Sequence, residues 1–136
     1  MGARIQAYDW SATPLGPLEA WPQPLRTTLG TMLNSKFPGY LMWGPELISF
    51  YNDAYRPLLG SKPEALGRPL PQVWPEIWDA LSPIVAGVFR GEASYFEDWP
   101  VTLHRKGYPE PAWFTFSYSP IRDETDCVKG ILGTIY

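Results

Sequence analysis

A chain of 136 residues suits one domain, and at that size folding buries roughly 70% of the unfolded surface, enough for a true core. The net charge of −3 and an isoelectric point near 5.1 argue against nucleic acid or an anionic membrane as the main partner, since both require clustered Lys and Arg. A single Cys excludes an internal disulfide, His and Cys are too few for a metal cluster, and no apolar run reaches membrane-spanning length, so a cytoplasmic protein without a metal site is expected.

Met1–Pro17 has no sustained periodicity, and Thr13, Pro14, Gly16 and Pro17 mark it as an irregular arm. Trp21, Leu25, Leu29, Met32 and Leu33 then recur at spacings of three and four, the stripe of an amphipathic helix. Pro22 and Pro24 fall in its first turn, where a missing N–H costs little. Phe37–Trp43 is apolar and aromatic, which suits a strand. Gly44, Pro45 and Glu46 form a turn, and Leu47–Tyr51 is the returning strand. Asn52 and Asp53 offer oxygens to the free N–H groups of a short helix through Ala54, Tyr55, Leu58 and Leu59, and Gly60 stops it.

Within Pro71–Glu92, Ile77, Trp78, Leu81, Ile84, Val85, Val88 and Phe89 form a second amphipathic stripe. Pro83 inside it must either kink the helix or begin a new one capped by Ser82. Ala93–His104 is a long strand in which Pro100 signals an edge or a bulge. Ala112–Ser119 alternates cleanly, with Phe114, Phe116 and Tyr118 on one face and Thr115, Ser117 and Ser119 on the other. Pro120 is expected to end that run. Val128–Tyr136 is the last strand, with Gly130 and Gly133 allowing close backbone approach. A hairpin, a helical middle and three further strands make an α+β fold, with five strands in one antiparallel sheet and the helices on one face.

The hairpin that runs through Asn52 and Ala54 into a short helix ending at Gly60 resembles the opening of a PAS sensor domain. Lys62–Leu70, with Ala65, Leu66 and Gly67, resembles the family's next short helical turn. The leader Asp9–Leu29 is similar to the N-terminal segment of a subset of bacterial PAS-containing sensor histidine kinases. The resemblance divides the chain into an N-terminal arm with its amphipathic helix, residues 1–35, and a PAS-like domain, residues 36–136. It implies that the Trp21–Leu33 helix meets its copy in a homodimer, whereas the residues alone allow equally a helix packed on its own domain. It also implies a kinase output module in the parent chain and a pocket between the sheet and the Ile77–Phe89 helix.

The chemistry on offer is sparse. His104 is the sole His and reads as an exposed strand-end residue, Cys127 follows an acidic turn and reads as structural, and the Glu97–Asp98 pair reads as a solvated strand segment. A haem-binding relative would place a His on the long helix, and a photoactive flavin-binding one a Cys in its own motif. Neither pattern is present, so both cofactors are disfavoured and no catalytic residue is assigned. What remains is the aromatic content. Trp43, Tyr51, Tyr55, Trp74, Trp78, Trp99, Phe116 and Tyr118 come from every wall a PAS pocket would have, and are the candidate ligand-binding residues. The expected function is a non-enzymatic sensory input domain that binds an unidentified small molecule or partner and relays to a histidine kinase. The alternatives are a ligand-free dimerisation module and a small α+β enzyme with a cone-like pocket.

Overall fold

The computed structural model describes residues 2–136. Helices α1 (Gly2–Ala7) and α2 (Gln23–Leu33) precede a hairpin of β1 (Gly39–Trp43) and β2 (Ile48–Tyr51). Helices α3 (Leu70–Val73) and α4 (Trp78–Phe89) follow, then β3 (Ser94–Leu103), β4 (Glu110–Arg122) and β5 (Val128–Ile135). The strands form one antiparallel sheet in the order β2-β1-β5-β4-β3, the α+β architecture that the pattern predicts.

Side chains alternate between the faces of a strand. Tyr40 and Met42 therefore point one way, Leu41 and Trp43 the other. Across the sheet Tyr40 pairs with Gly133, and Gly133 with Tyr118; this inner face meets α3 and α4. The outer face, at its β1–β2 end, is covered by the N-terminal arm. The Trp10 ring stacks on Phe50 at 5.0 Å, and Trp21 meets both rings edge-on. Leu25, Leu29 and Met32 of α2 are buried here, so the stripe that the resemblance assigned to a partner is occupied within the chain.

Several local expectations are corrected. The arm is not irregular throughout: α1 and a 3-10 turn at Trp10–Ala12 form because buried Trp10 anchors them, its indole donating to the Ile5 carbonyl at 2.6 Å. Such short elements carry no periodicity to read. Asn52 leads into less helix than expected, a 3-10 turn over Arg56–Leu59 that no side chain caps, but it ties together more of the chain. Its Oδ1 accepts from the Gly39 and Tyr55 N–H groups, both at 3.0 Å, while its Nδ2 donates to the Met32 and Phe37 carbonyls at 3.0 and 2.9 Å. Lys62–Leu70 is not a helical turn. It lies along the free edge of β2, where Ser49 exchanges backbone hydrogen bonds with Gly67 and Arg68, and α3 begins only at Leu70. Pro63 and Pro69 supply no N–H for a helix there, and the open strand edge supplies partners instead.

Helix α4 runs on through Pro83, whose ring is exposed, so the carbonyl it leaves without a partner can be served by water. Strand β4 likewise passes Pro120. Its β3 neighbour has ended at the Ser94–Tyr118 pair, so a proline sits there at what is locally an edge. Strand β3 is an edge of the sheet, as Pro100 signals, and its bulge lies at Glu97–Asp98. Asp98 adopts φ 48°, its N–H donates to Thr115 Oγ1 at 3.1 Å, and the register shifts between Phe96 and Trp99. The shift keeps Phe96 and Trp99 on one face, against Phe116 and Phe114.

Candidate functional site

The inner face of the sheet and the helical middle enclose a cavity of about 60 Å³, counted as space open to the centre of a water molecule. The floor is Tyr40 from β1 and Phe114, Phe116 and Tyr118 from β4. A Cβ on Gly133 would lie 2.8 Å from the Tyr118 ring, so the residue beneath that ring has to be glycine. The bulge in β3 turns Trp99, Val101 and Leu103 inward as one wall. Tyr55 and Leu58 follow the Asn52 junction, and Trp74, Ile77 and Leu81 close the helical side.

The walls are apolar and aromatic apart from a corner of hydroxyl and indole groups. Tyr40 and Tyr55 lie 4.9 Å apart, ring centre to ring centre. The Tyr40 hydroxyl donates to Ser49 Oγ at 2.5 Å. The Tyr118 hydroxyl has no hydrogen-bond partner among the described residues. The buried Trp74 Nε1 faces the Tyr55 hydroxyl closely enough to work against the rise in its pKa, but falls outside hydrogen-bond geometry. Burial pushes the hydroxyls of Tyr40, Tyr55 and Tyr118 well above the ordinary tyrosine value, so all three stay neutral at physiological pH. No Asp, Glu, Lys, Arg or His lines the cavity among the described residues.

Charged groups frame the cavity from outside. Lys62 Nζ lies 4.8 Å over the Trp74 ring and 3.0 Å from Glu76 Oε1. Glu76 Oε2 accepts the His104 N–H at 3.0 Å. Burial works to raise the Glu76 pKa, but the backbone N–H donors and Lys62 outweigh it and hold the carboxyl below its usual range. Arg105 grips Glu110 through two hydrogen bonds and donates to the Leu58 carbonyl at 3.0 Å, which ties the β3–β4 turn to the cavity wall.

Of the eight candidates, Tyr55, Trp74, Trp99, Phe116 and Tyr118 are brought together at the cavity. Trp43, Tyr51 and Trp78 are not. Trp43 is on the outer face, over Gly130, where an added Cβ would lie 2.6 Å from its ring. The Tyr51 hydroxyl turns to the sheet edge and donates to Glu64 Oε1 at 2.5 Å; Glu64 also pairs with Arg4. Burial, then the Glu64 carboxylate, pushes the Tyr51 pKa up to about 12. Trp78 opens α4, just past the turn that carries Ile77, and lines a separate surface groove with Val85, Phe89, Pro45 and Leu47. Sequence reasoning missed Tyr40. Both faces of β1 are buried, so no polar alternation separates Tyr40 from Trp43. The serine opposite Met42, the one polar residue of β2, is the signal that would have marked the inner face. Cys127, read as structural, is exposed on the β4–β5 turn, and His104 is exposed beyond β3; neither lines the cavity.

A sequence profile described as the PAS fold matches residues 47–136. No curated protein sequence matches the chain. Among solved structures, the Rhodobacter sphaeroides LOV protein superposes with a TM-score of 0.62 at 15% identity, covering 84% of this chain and 66% of that one. An RNA-binding light-oxygen-voltage receptor gives a TM-score of 0.58 at 17% identity; 92% of this chain matches, but only 34% of the receptor. A sensory box sensor histidine kinase from Vibrio cholerae gives 0.54 at 16% identity, over 82% and 85% of the two chains.

Proposed function

The chain belongs to the PAS-fold family, generally sensory and signalling modules, and from that premise we propose that it is a cytoplasmic, non-catalytic input domain that binds a small molecule in the inner-face cavity. The observation that carries this reading is the cavity itself, an apolar space with hydrogen-bonding groups at one corner. Occupancy would bias the packing of α4 and the β3 wall against the sheet, and the sheet would pass that bias on. A histidine kinase output is part of the proposal, supported by the leader Asp9–Leu29 and by the Vibrio cholerae neighbour's description. Residues 1–35 are taken as an arm that locks onto the outer face, and residues 36–136 as the sensor. Haem and photoactive flavin stay disfavoured, because the cavity wall presents neither an imidazole to ligate iron nor a thiol to react with a flavin. Native mass spectrometry of freshly purified protein, followed by a thermal-shift screen of metabolites, tests the reading. A stoichiometric adduct or a stabilising compound whose effect Tyr118→Phe or Trp99→Ala reduces supports it. A bare chain that no compound stabilises contradicts it.

A specific observation favours the second reading, a dimerisation module without a ligand. Tyr95 and Trp113 are 57% and 63% exposed on the part of the outer face that the arm leaves uncovered. A homodimer would use this surface rather than α2. Under this reading Trp113→Glu turns a dimer into a monomer by light scattering, and the parent chain binds no small molecule.

A further inference from the structure

We propose that the cavity selects a small, uncharged molecule carrying a hydrogen-bond acceptor, such as a carbonyl oxygen, which the unpartnered Trp74 Nε1–H and Tyr118 O–H receive. This rests on reading the cavity as a ligand site and narrows what that site takes.

The selection follows from what the walls offer and lack. Buried polar groups in folded proteins almost always have partners, and leaving one unmet costs free energy that a ligand can recover. Here one such group, the buried Trp74 Nε1, a donor only, belongs to a wall residue of the cavity, and the hydroxyl of a second wall residue, Tyr118, makes no hydrogen bond among the described residues. Both serve an incoming acceptor. A ligand bearing only donors gains nothing from the indole.

Charge is selected against by the same walls. An anion or a cation would lose its hydration without an opposing side chain, because no charged group lines the cavity among the described residues. The nearby Lys62 charge is already taken by Glu76 and lies over the Trp74 ring. The tyrosine hydroxyls remain neutral donors, as their burial requires. Size sets the last limit. A cavity of about 60 Å³ admits only a small molecule.

The test uses the 136-residue chain and four probes of similar size: cyclopentanone, its isostere methylenecyclopentane, cyclopentylammonium and cyclopropanecarboxylate. Binding is followed by NMR, with the Trp74 indole N–H resonance assigned by its loss in Trp74→Phe. Cyclopentanone is expected to bind about tenfold more tightly than methylenecyclopentane, the worth of one to two neutral hydrogen bonds. It should move the Trp74 indole proton downfield, and Tyr118→Phe should remove much of the preference without unfolding the chain. Equal or tighter binding of methylenecyclopentane, preference for either ion, or an unmoved Trp74 indole proton overturns the selection while leaving a ligand site in place. Failure of all four probes to bind overturns the ligand-site reading as well.

Discussion

The two faces of the sheet solve the same problem with the same residue types and reach different ends. On the outer face Trp10, Trp21 and Phe50 interlock at 5.0–5.4 Å between ring centres. Both indole N–H groups of this cluster are satisfied, Trp10 by the Ile5 carbonyl and Trp21 by the Gly16 carbonyl at 3.1 Å. On the inner face rings also meet, Trp99 with Phe116 at 5.3 Å and Phe116 with Tyr118 at 5.1 Å. Yet a space remains between them, and the Trp74 N–H beside it is unmet. Ring content alone therefore does not separate a filled core from a site. The fate of the polar tips does.

The largest expected effect sets one face against the other. Trp10→Ala should cost about 3–5 kcal/mol in chemical denaturation, as expected for truncating a fully packed aromatic ring. Trp99→Ala, at a partly exposed wall that already borders empty space, should cost about half of that or less. Equal losses would mean that the inner face is packed as tightly as the outer. Next comes the residue that ties the faces together. Asn52 holds the end of α2 with one side-chain atom and Tyr55 of the cavity wall with the other. Asn52→Ala removes four hydrogen bonds; the Tyr55 N–H and the Met32 carbonyl keep backbone partners, the Gly39 N–H and the Phe37 carbonyl lose this one, and the loss should be about 2–4 kcal/mol.

The division between the faces also marks how much could be read in advance. The alternation of Phe114, Phe116 and Tyr118 with Thr115, Ser117 and Ser119 is visible in the sequence because one face of β4 meets a cavity and the other is more polar. In β1 both faces are buried, so the sequence could not say that Tyr40 and not Trp43 looks inward. Trp78 was misplaced for a related reason. The apolar stripe of α4 is wide enough to serve both the cavity, through Leu81, and the surface groove. The bulge at Asp98 leaves only a Glu-Asp pair in the sequence, and what it does to Trp99 depends on Thr115, a residue seventeen positions away. The Lys62–Leu70 segment failed to become helical because a neighbouring strand offered its edge, an event whose local trace is confined to Pro63 and Pro69.

A smaller effect sharpens the comparison through pH. The Glu76 carboxyl braces the inner-face wall with its pKa held below the usual value of 4.5. Its contribution to stability is complete above that value and is lost as the pH falls through the lower folded value. Glu76→Gln should therefore flatten part of the acid limb of a stability-versus-pH curve. The slope that remains belongs to Glu64, Glu110 and Asp123, whose carboxyls are also lowered. An unchanged acid limb would remove Glu76 from the brace.

The central claim is that the inner face holds a space a ligand can enter and the outer face does not. Crystals of the chain pressurised with xenon test it most directly, since apolar cavities take up xenon and close-packed cores do not. Xenon density is expected between Tyr118, Leu81 and Trp99, and none among Trp10, Trp21 and Phe50. A xenon-free inner face would contradict it.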